Sequence, residues 1–488
     1  MLLLLFAIVL LKPAVSVLFY LLLTDRRSIT LAVRQIKLTL CYYEHNVYEV
    51  NILNSIWSAT AKNGGFPELV GDIKTDVVIV GGGLAGVLTL RELTERGVDC
   101  VLLEAKSIGS GIAKNTTAKI TFQHGLIYDK LIKSLGTEKA YKYLASNRHA
   151  LEKIRKMSEA FPCDFEEKDA YIYSATDRRK IEKEIRAYDR LGVTAEFFDS
   201  IPLPVECAGT VKIGSQAQFH PLKFLFGVAR GLKIYENSKV IEFLPGKVRC
   251  LNGSVRAENI IVATHFPVIN KHGGYSLKLY QHRSYVLGVK NAPDVNGMYL
   301  EDGEDGFSFR NYKDYLLVGG GDHRTGKKGG SYNVLEEFCR EKLPEAKISY
   351  RFATQDCMSL DGIPYIGKYS DFSENLFVAT GFNKWGMTTS AVSAEILSDM
   401  VTGKENPYAE VFTPDRSVLH PQLLANIFHS VTGILTPTVP RCPHLGCALK
   451  YNKEEHSWDC PCHGSRFTED GELIDNPATD DSLRQGKR

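Results

Sequence analysis

Apolar residues along this chain fall into distinct patterns. The first is continuous: Met1 to Leu23 is apolar except for Lys12-Pro13, a run long enough to span a bilayer. The second is short and β-branched. Asp76-Val-Val-Ile-Val80 predicts a buried parallel strand, and Val98 to Leu103 predicts another. Between them lie Gly81-Gly-Gly83-Leu-Ala-Gly86 and a helical stretch to about Arg96, closed by Gly97, so the pattern is a βαβ unit. Asn259 to Ala263 and Leu376 to Thr380 repeat the buried-strand pattern. A third pattern, apolar residues at three- and four-residue spacing, predicts helices over 127–160, 176–192 and 388–401. Residues 282–289 and 307–319 are rich in Tyr, Phe and Val with turn signals between, the mark of antiparallel strands. A Pro-containing stretch then reads as a linker over 413–440, and there are no internal repeats.

At 488 residues the chain has room for two or three domains, and a formal charge of +2 with no long Lys or Arg run argues against a nucleic-acid surface. Of eleven cysteines, Cys41, Cys100, Cys163, Cys207, Cys250, Cys339 and Cys357 are scattered singly, which fits free thiols in a reducing cytoplasm. Residues 1–50 form a leader that reads either as a membrane anchor or as upstream sequence from a mis-chosen start codon. Under the anchor reading, Arg26, Arg27, Arg34 and Lys37 follow the span and hold the bulk of the chain on the inner face of the cell membrane.

The glycine run carries the first chemistry. In G-x-G-x-x-G, Gly81 permits the tight turn, Gly83 lets the backbone approach a pyrophosphate, and Gly86 lets helix and strand pack closely. Leu84 and Ala85 open the helix whose N-terminus faces the phosphates, and Glu104, at the end of the second strand, is placed to accept from a ribose hydroxyl. The fingerprint alone allows NAD or FAD.

The second chemistry lies near the C-terminus. Cys442-Pro-His444-Leu-Gly-Cys447 and Cys460-Pro-Cys462-His463 put four cysteines and two histidines in a 22-residue window. Cys-x-His and Cys-x-x-His suit a [2Fe–2S] cluster, with Cys442 and Cys460 on one iron and His444 and His463 on the other. A Cys₂His₂ zinc site uses the same donors, although zinc knuckles favour Cys-x₂₋₄-Cys spacing.

The cluster strings, with their Pro-rich turns and Gly-Ser after the last histidine, resemble the Rieske proteins. That resemblance implies a one-electron centre and a disulfide between Cys447 and Cys462. Only about 27 residues separate Pro414 from Cys442, so the module (441–488) is short on its N-terminal side and would lean on the rest of the chain.

Asp361-Gly-Ile-Pro364-Tyr-Ile-Gly367 followed by Asn375-Leu-Phe-Val-Ala-Thr-Gly381 resembles the flavin-contacting segment of the D-amino-acid oxidase, glycine oxidase and sarcosine oxidase superfamily. The resemblance implies FAD. It implies FAD contacts at Ser110, Thr116 and Thr117, at Val240, Ala263 and Thr264, and at Gly381. It also implies that Gly386, Met387 and Thr388 open a helix toward the isoalloxazine. With Gln216 to Lys223 and Gly381 to Thr388, these strings resemble the bacterial subgroup that fuses such an oxidoreductase to a C-terminal Rieske domain.

The implied fold is α/β, a Rossmann-type FAD-binding domain with an inserted antiparallel-sheet substrate domain and a small all-β module. The oxidoreductase would occupy 55–412, with FAD-binding parts about 72–125, 205–270 and 355–405 and substrate-domain parts about 126–204 and 271–354. Family members often carry an Arg-Pro pair before the Asp-Gly-x-Pro string; this chain has Asp356-Cys357-Met358-Ser359 there, which argues against an amino-acid substrate. Arg283, His323, Arg324 and Arg351 are candidate anion grips but read better as surface or loop charges, and His282 and Tyr285 as packing residues. Lys384 and Trp385 are the candidates beside the flavin, and no general base is apparent. The expectation is a flavin-dependent oxidoreductase that oxidises a small amine or hydroxy compound, or exchanges electrons with a redox partner, and relays single electrons through the cluster. A redox-sensing or electron-transfer protein without small-molecule turnover, and an FAD oxidase with a purely structural cluster module, are the alternatives.

Overall fold

The β-branched side chains of Val77 to Val80 have almost no solvent exposure because they form the middle of a sheet covered on both faces. The computed structural model describes residues 55–269, 273–303, 306–437 and 440–482. The apolar leader, with the anchor reading attached to it and Cys41, lies outside them. Among the described residues no helix is long and apolar enough to cross a membrane.

The first sheet has eight strands. Leu376–Thr380, Gly253–Val262, Gly71–Val80, Cys100–Leu103 and Ile234–Tyr235 lie side by side and parallel. Tyr365–Lys368 closes one edge antiparallel, and a hairpin of Glu242–Leu244 and Lys247–Arg249 pairs onto Gly253–Val262. Helices Leu84–Glu95 and Gly386–Val401 pack on one another beside this sheet. The layout places the ends of three parallel strands, at Val80, Leu103 and Val262, side by side at one rim. Ligands in such folds bind at that rim.

The second sheet has nine strands, in the order Lys347–Ser359, Leu279–Lys290, Tyr315–Arg324, Ser308–Tyr312, Met298–Glu301, Glu166–Ser174, Gly209–Gln218 and Lys119–Ile120, with Glu196–Phe198 beside Gly209–Gln218. It is mixed: Met298–Glu301 runs parallel to Glu166–Ser174. The helical pattern over 127–160 resolves into Tyr128–Leu135 and Thr137–Ala160. Gly136 breaks it at φ +83°, a conformation that favours glycine. Asp177 caps Arg178–Arg190 by accepting from the Arg179 amide at 2.9 Å.

The stretch expected as a linker over 413–440 carries a 15-residue helix, Pro421–Leu435. It opens with Pro421 in its first turn, where the missing N–H is no loss, and His420 Nδ1 accepts from the Gln422 amide at 3.2 Å. Asn426 and Gly433 are its buried residues, while Leu424, Phe428 and Leu435 are exposed.

The cluster module is a four-stranded antiparallel sheet of three-residue strands from Lys450–Asn452 to Leu473–Asp475. It is seated against the rest of the chain. Gln355 Nε2 donates to Gly464 O at 2.9 Å, Arg324 Nη2 to Cys462 O at 3.2 Å, and Asn476 Nδ2 to Thr264 O and Phe266 O at 2.6 and 2.9 Å. The docking is close. A Cβ on Gly464 would meet Gln281 Cβ at 2.5 Å, and one on Gly326 would meet Pro461 N at 2.6 Å.

Candidate functional site

After Val80 the chain turns at Gly81, φ +114°, where a Cβ would lie 2.4 Å from Ala263 O. A Cβ on Gly86 would lie 2.0 Å from Gly81 O, so helix and strand pack with only hydrogen between them. Gly83, at the helix N-cap, has nothing within 4 Å of a Cβ, so its backbone borders open space. That space is a cavity of about 720 Å³. The bare cradle, the free N–H groups of the helix start and a carboxylate at the neighbouring strand end fit a dinucleotide. Glu104 Oε2 accepts from the Gly82 amide at 2.6 Å and Oε1 from the Lys106 amide at 2.8 Å. Burial nonetheless pushes this carboxyl above the ordinary range.

Of the residues expected around FAD, Gly81, Gly83, Leu84, Ala85, Glu104, Ser110, Thr116, Thr117, Val240, Ala263, Thr264, Gly386 and Met387 line this cavity, as do Lys384 and Trp385. Three expected contacts do not. Gly86 is spent on packing against Gly81. Gly381, φ +70°, is closed in by Leu279 and Ser359 and serves the turn. Thr388 is buried, donating to Thr121 O at 3.2 Å beside His124 Nε2 at 3.1 Å.

The turn before helix Gly386–Val401 is held by side chains. Asn383, φ +50°, donates to Gly381 O at 2.6 Å and accepts from the Ser359 amide at 2.8 Å. Lys384 pairs with Asp322, and Trp385 stacks on His124 at 4.8 Å between ring centres. Burial pulls His124 down to about 3, so the ring under Trp385 is neutral.

The four candidate anion grips are all engaged with protein. Arg283 is buried and pairs with Glu455 of the cluster module. Arg324 donates to Asn426 Oδ1 at 2.9 Å as well as to Cys462 O. Arg351 pairs with Glu336, and His323 stacks on Tyr285 at 5.8 Å. Tyr285 lines the cavity and packs edge-on against Tyr332; burial pulls His282 down to about 4.

Several cavity residues carry no motif. Lys119 and Ser308 are hydrogen-bonded to each other, and burial with the nearby Arg310 pulls Lys119 down to about 7. Asp356 also lines the cavity, and burial pushes its carboxyl up to about 6. The module contributes Arg466 and part of 473–481 to the same wall. Asp356 was visible in sequence only as a departure from the Arg-Pro pattern. The module's share of the wall has no local signal, because it depends on docking.

The four expected cluster ligands sit on two loops with like turns: Gly446 N donates to Cys442 O, and Gly464 N to Cys460 O, both at 2.9 Å. The Cys442 and Cys460 thiols hydrogen-bond each other, which draws Cys442 down to about 7. The rings of His444 and His463 lie 4.9 Å apart at 87°. Burial pulls His444 down to about 4 and His463 to about 3, so both are neutral donors. His463 Nδ1 is buried with no protein partner, as a nitrogen reserved for a metal would be. A disulfide joins Cys447 to Cys462. Two thiols, two neutral imidazoles and a buried unsatisfied nitrogen fit a two-iron centre.

Both histidine rings face Phe266, at 6.4 and 6.3 Å between centres. The residue before it, His265, lines the large cavity and holds Gln281 Oε1 at 3.2 Å from its Nε2.

Comparison with known proteins gives two family matches. The FAD dependent oxidoreductase family matches residues 76–400, and the Rieske [2Fe-2S] domain matches residues 418–485, which takes in the helix Pro421–Leu435. A putative Rieske 2Fe-2S iron-sulfur protein, YhfW of Bacillus subtilis (strain 168), is 34% identical over 485 residues, covering 86% of this chain and 95% of its own. Gamma-glutamylputrescine oxidoreductase of Escherichia coli (strain K12) is 24% identical over 389 residues, covering 72% of this chain and 89% of its own. Among solved structures, glycine oxidase from Geobacillus kaustophilus superposes with a TM-score of 0.57 at 18% identity, covering 71% of this chain and 99% of that one.

Proposed function

For this chain, which belongs to the FAD dependent oxidoreductase family and ends in a Rieske [2Fe-2S] domain, we propose a catalytic two-to-one electron converter. A small amine or hydroxy compound is oxidised in the cavity, and the electrons leave one at a time through the cluster to a redox partner. The observation that carries this reading is the His265-Phe266 turn. One of its residues lines the cavity, and the next lies against both cluster histidines.

The residues take these roles. Gly81 and Gly83 bring backbone amides to the pyrophosphate, and the start of helix Leu84–Glu95 adds its positive dipole end. Glu104 accepts from the ribose. Ser110, Thr116, Thr117, Val240, Ala263 and Thr264 line the remaining length of the dinucleotide. With FAD bound, the N-terminus of Gly386–Val401, which opens at the cavity wall, would offer its positive dipole end to the ring. Cys442 and Cys460 would hold one iron of the cluster, His444 and His463 the other. When bound, FAD accepts two electrons from a substrate and releases them singly, and the [2Fe–2S] cluster accepts one at a time. The scattered free thiols suit a cytoplasmic setting.

Anaerobic titration of the purified protein with amines and 2-hydroxy acids tests this. The expected result is bleaching of the flavin band together with a low-g-average [2Fe–2S] EPR signal in the same sample, with no added mediator. If dithionite reduces both centres but no compound bleaches the flavin, substrate oxidation is ruled out. Bleaching without the cluster signal rules out the relay.

A further inference from the structure

We propose that the cavity selects a cationic substrate group and that Asp356 is the residue that holds it, so that the molecule oxidised is an amine with no carboxylate for the protein to grip. This rests on the reading of the cavity as the site of substrate oxidation.

Asp356 lies on strand Lys347–Ser359 and borders the cavity. It has no hydrogen bond or ion pair with any described residue, although it faces three charged side chains. Each of those is already neutralised: Lys384 is paired with Asp322, and Arg283 with Glu455. Asp356 is half-buried, open to the cavity but not met by any protein donor, so a ligand in the cavity is what can supply one. With one cation matched by Asp322 and the other by Glu455, the charge left over at this end of the cavity is negative. An ammonium group entering here finds a free acceptor, whereas an entering carboxylate meets the repulsion of Asp356 and a guanidinium, Arg283, whose charge is already matched by Glu455. Trp385 lines the same cavity, braced by its stack on His124, and offers an aromatic face to a cation. The Asp356 carboxyl is pushed up only to about 6, which leaves it ionised at neutral pH.

The test uses the FAD-loaded full chain and two unreactive probes of opposite charge, tetramethylammonium and acetate, read by the shift each causes in the flavin absorption band. Tetramethylammonium is expected to give a saturable shift and acetate none, and Asp356→Asn should weaken the cation by roughly 10- to 100-fold. Acetate binding as tightly as the cation in the wild-type protein overturns the proposal, as does an Asp356→Asn protein with unchanged cation affinity. Should Asp356→Asn fail to retain FAD, Asp356→Glu keeps the charge and must keep the preference for the cation; loss of that preference also overturns it. Failure of the parent reading looks different. If no amine bleaches the flavin but the cation shift still depends on Asp356, the oxidation reading falls and the cation site stands. If aminocarboxylates bleach it as well as simple amines, and do so equally in Asp356→Asn, the cation site falls and the oxidation reading stands.

Discussion

Asp356 is a side chain that folding alone does not favour. Its carboxyl is raised from the ordinary 3.8 to about 6, chiefly by burial, with Lys384 and Arg283 lowering it and Asp322 raising it. A raised acid binds its proton more tightly in the folded state. Stability is therefore fully present below about pH 4 and declines as pH rises through 6. Replacing it removes that decline. Asp356→Asn without ligand should unfold at a higher temperature than wild type at pH 8, by the equivalent of at most about 3 kcal/mol. The difference should vanish near pH 4. Thermal unfolding at the two pH values checks this, and melting points that match at both would show that the carboxylate is already satisfied in the free protein.

At the scale of elements, helix Pro421–Leu435 clamps the cluster loops. Gly433 O accepts from the Ala448 amide at 2.9 Å, and a Cβ on Gly433 would lie 2.5 Å from Cys462 Sγ. Gly433→Ala must push the helix away from the disulfide-tied loops, at about 1–3 kcal/mol. The expected protein has full FAD content but loses its cluster absorbance at a lower temperature; a cluster as heat-stable as wild type would show that the helix does not clamp. This helix also shows where the sequence could be read and where it could not. The glycine loop and the Cys-His strings were legible because their chemistry is local: turn, ligand and spacing lie within a few residues. The stretch 413–440 read as a linker because of its prolines, yet Pro421 sits in the first turn, where proline is tolerated. The helical spacing of Leu424, Ile427, Phe428, Val431 and Leu435 was there to be read, and the fold leaves these residues exposed. Strands Glu166–Ser174, Gly209–Gln218 and Lys347–Ser359 escaped the pattern because polar residues such as Gln216, Gln218 and Gln355 are buried in them. Each of these side chains hydrogen-bonds a partner far along the chain, at Thr121, Glu166 and Gly464 respectively.

At the scale of the whole molecule, Glu455 links the module to the rest of the chain. Its carboxylate pairs with Arg283 of the large sheet and, at 3.1 Å, with Arg466 inside the module. Removing one member of a buried charge network costs about 3–5 kcal/mol, because the others stay buried without a partner. Glu455→Gln should therefore loosen docking without touching either cofactor directly. The expected readout is faster FAD release, followed by recovery of flavin fluorescence on dilution; an unchanged release rate would mean that docking does not control retention.

Because Arg466 and residues between Leu473 and Asp481 form part of the cavity wall, the seating of the module bears on how firmly the cavity holds its flavin. A chain whose module is loosely seated, as Glu455→Gln would make it, would then hold its flavin less firmly although no flavin-contacting residue has changed.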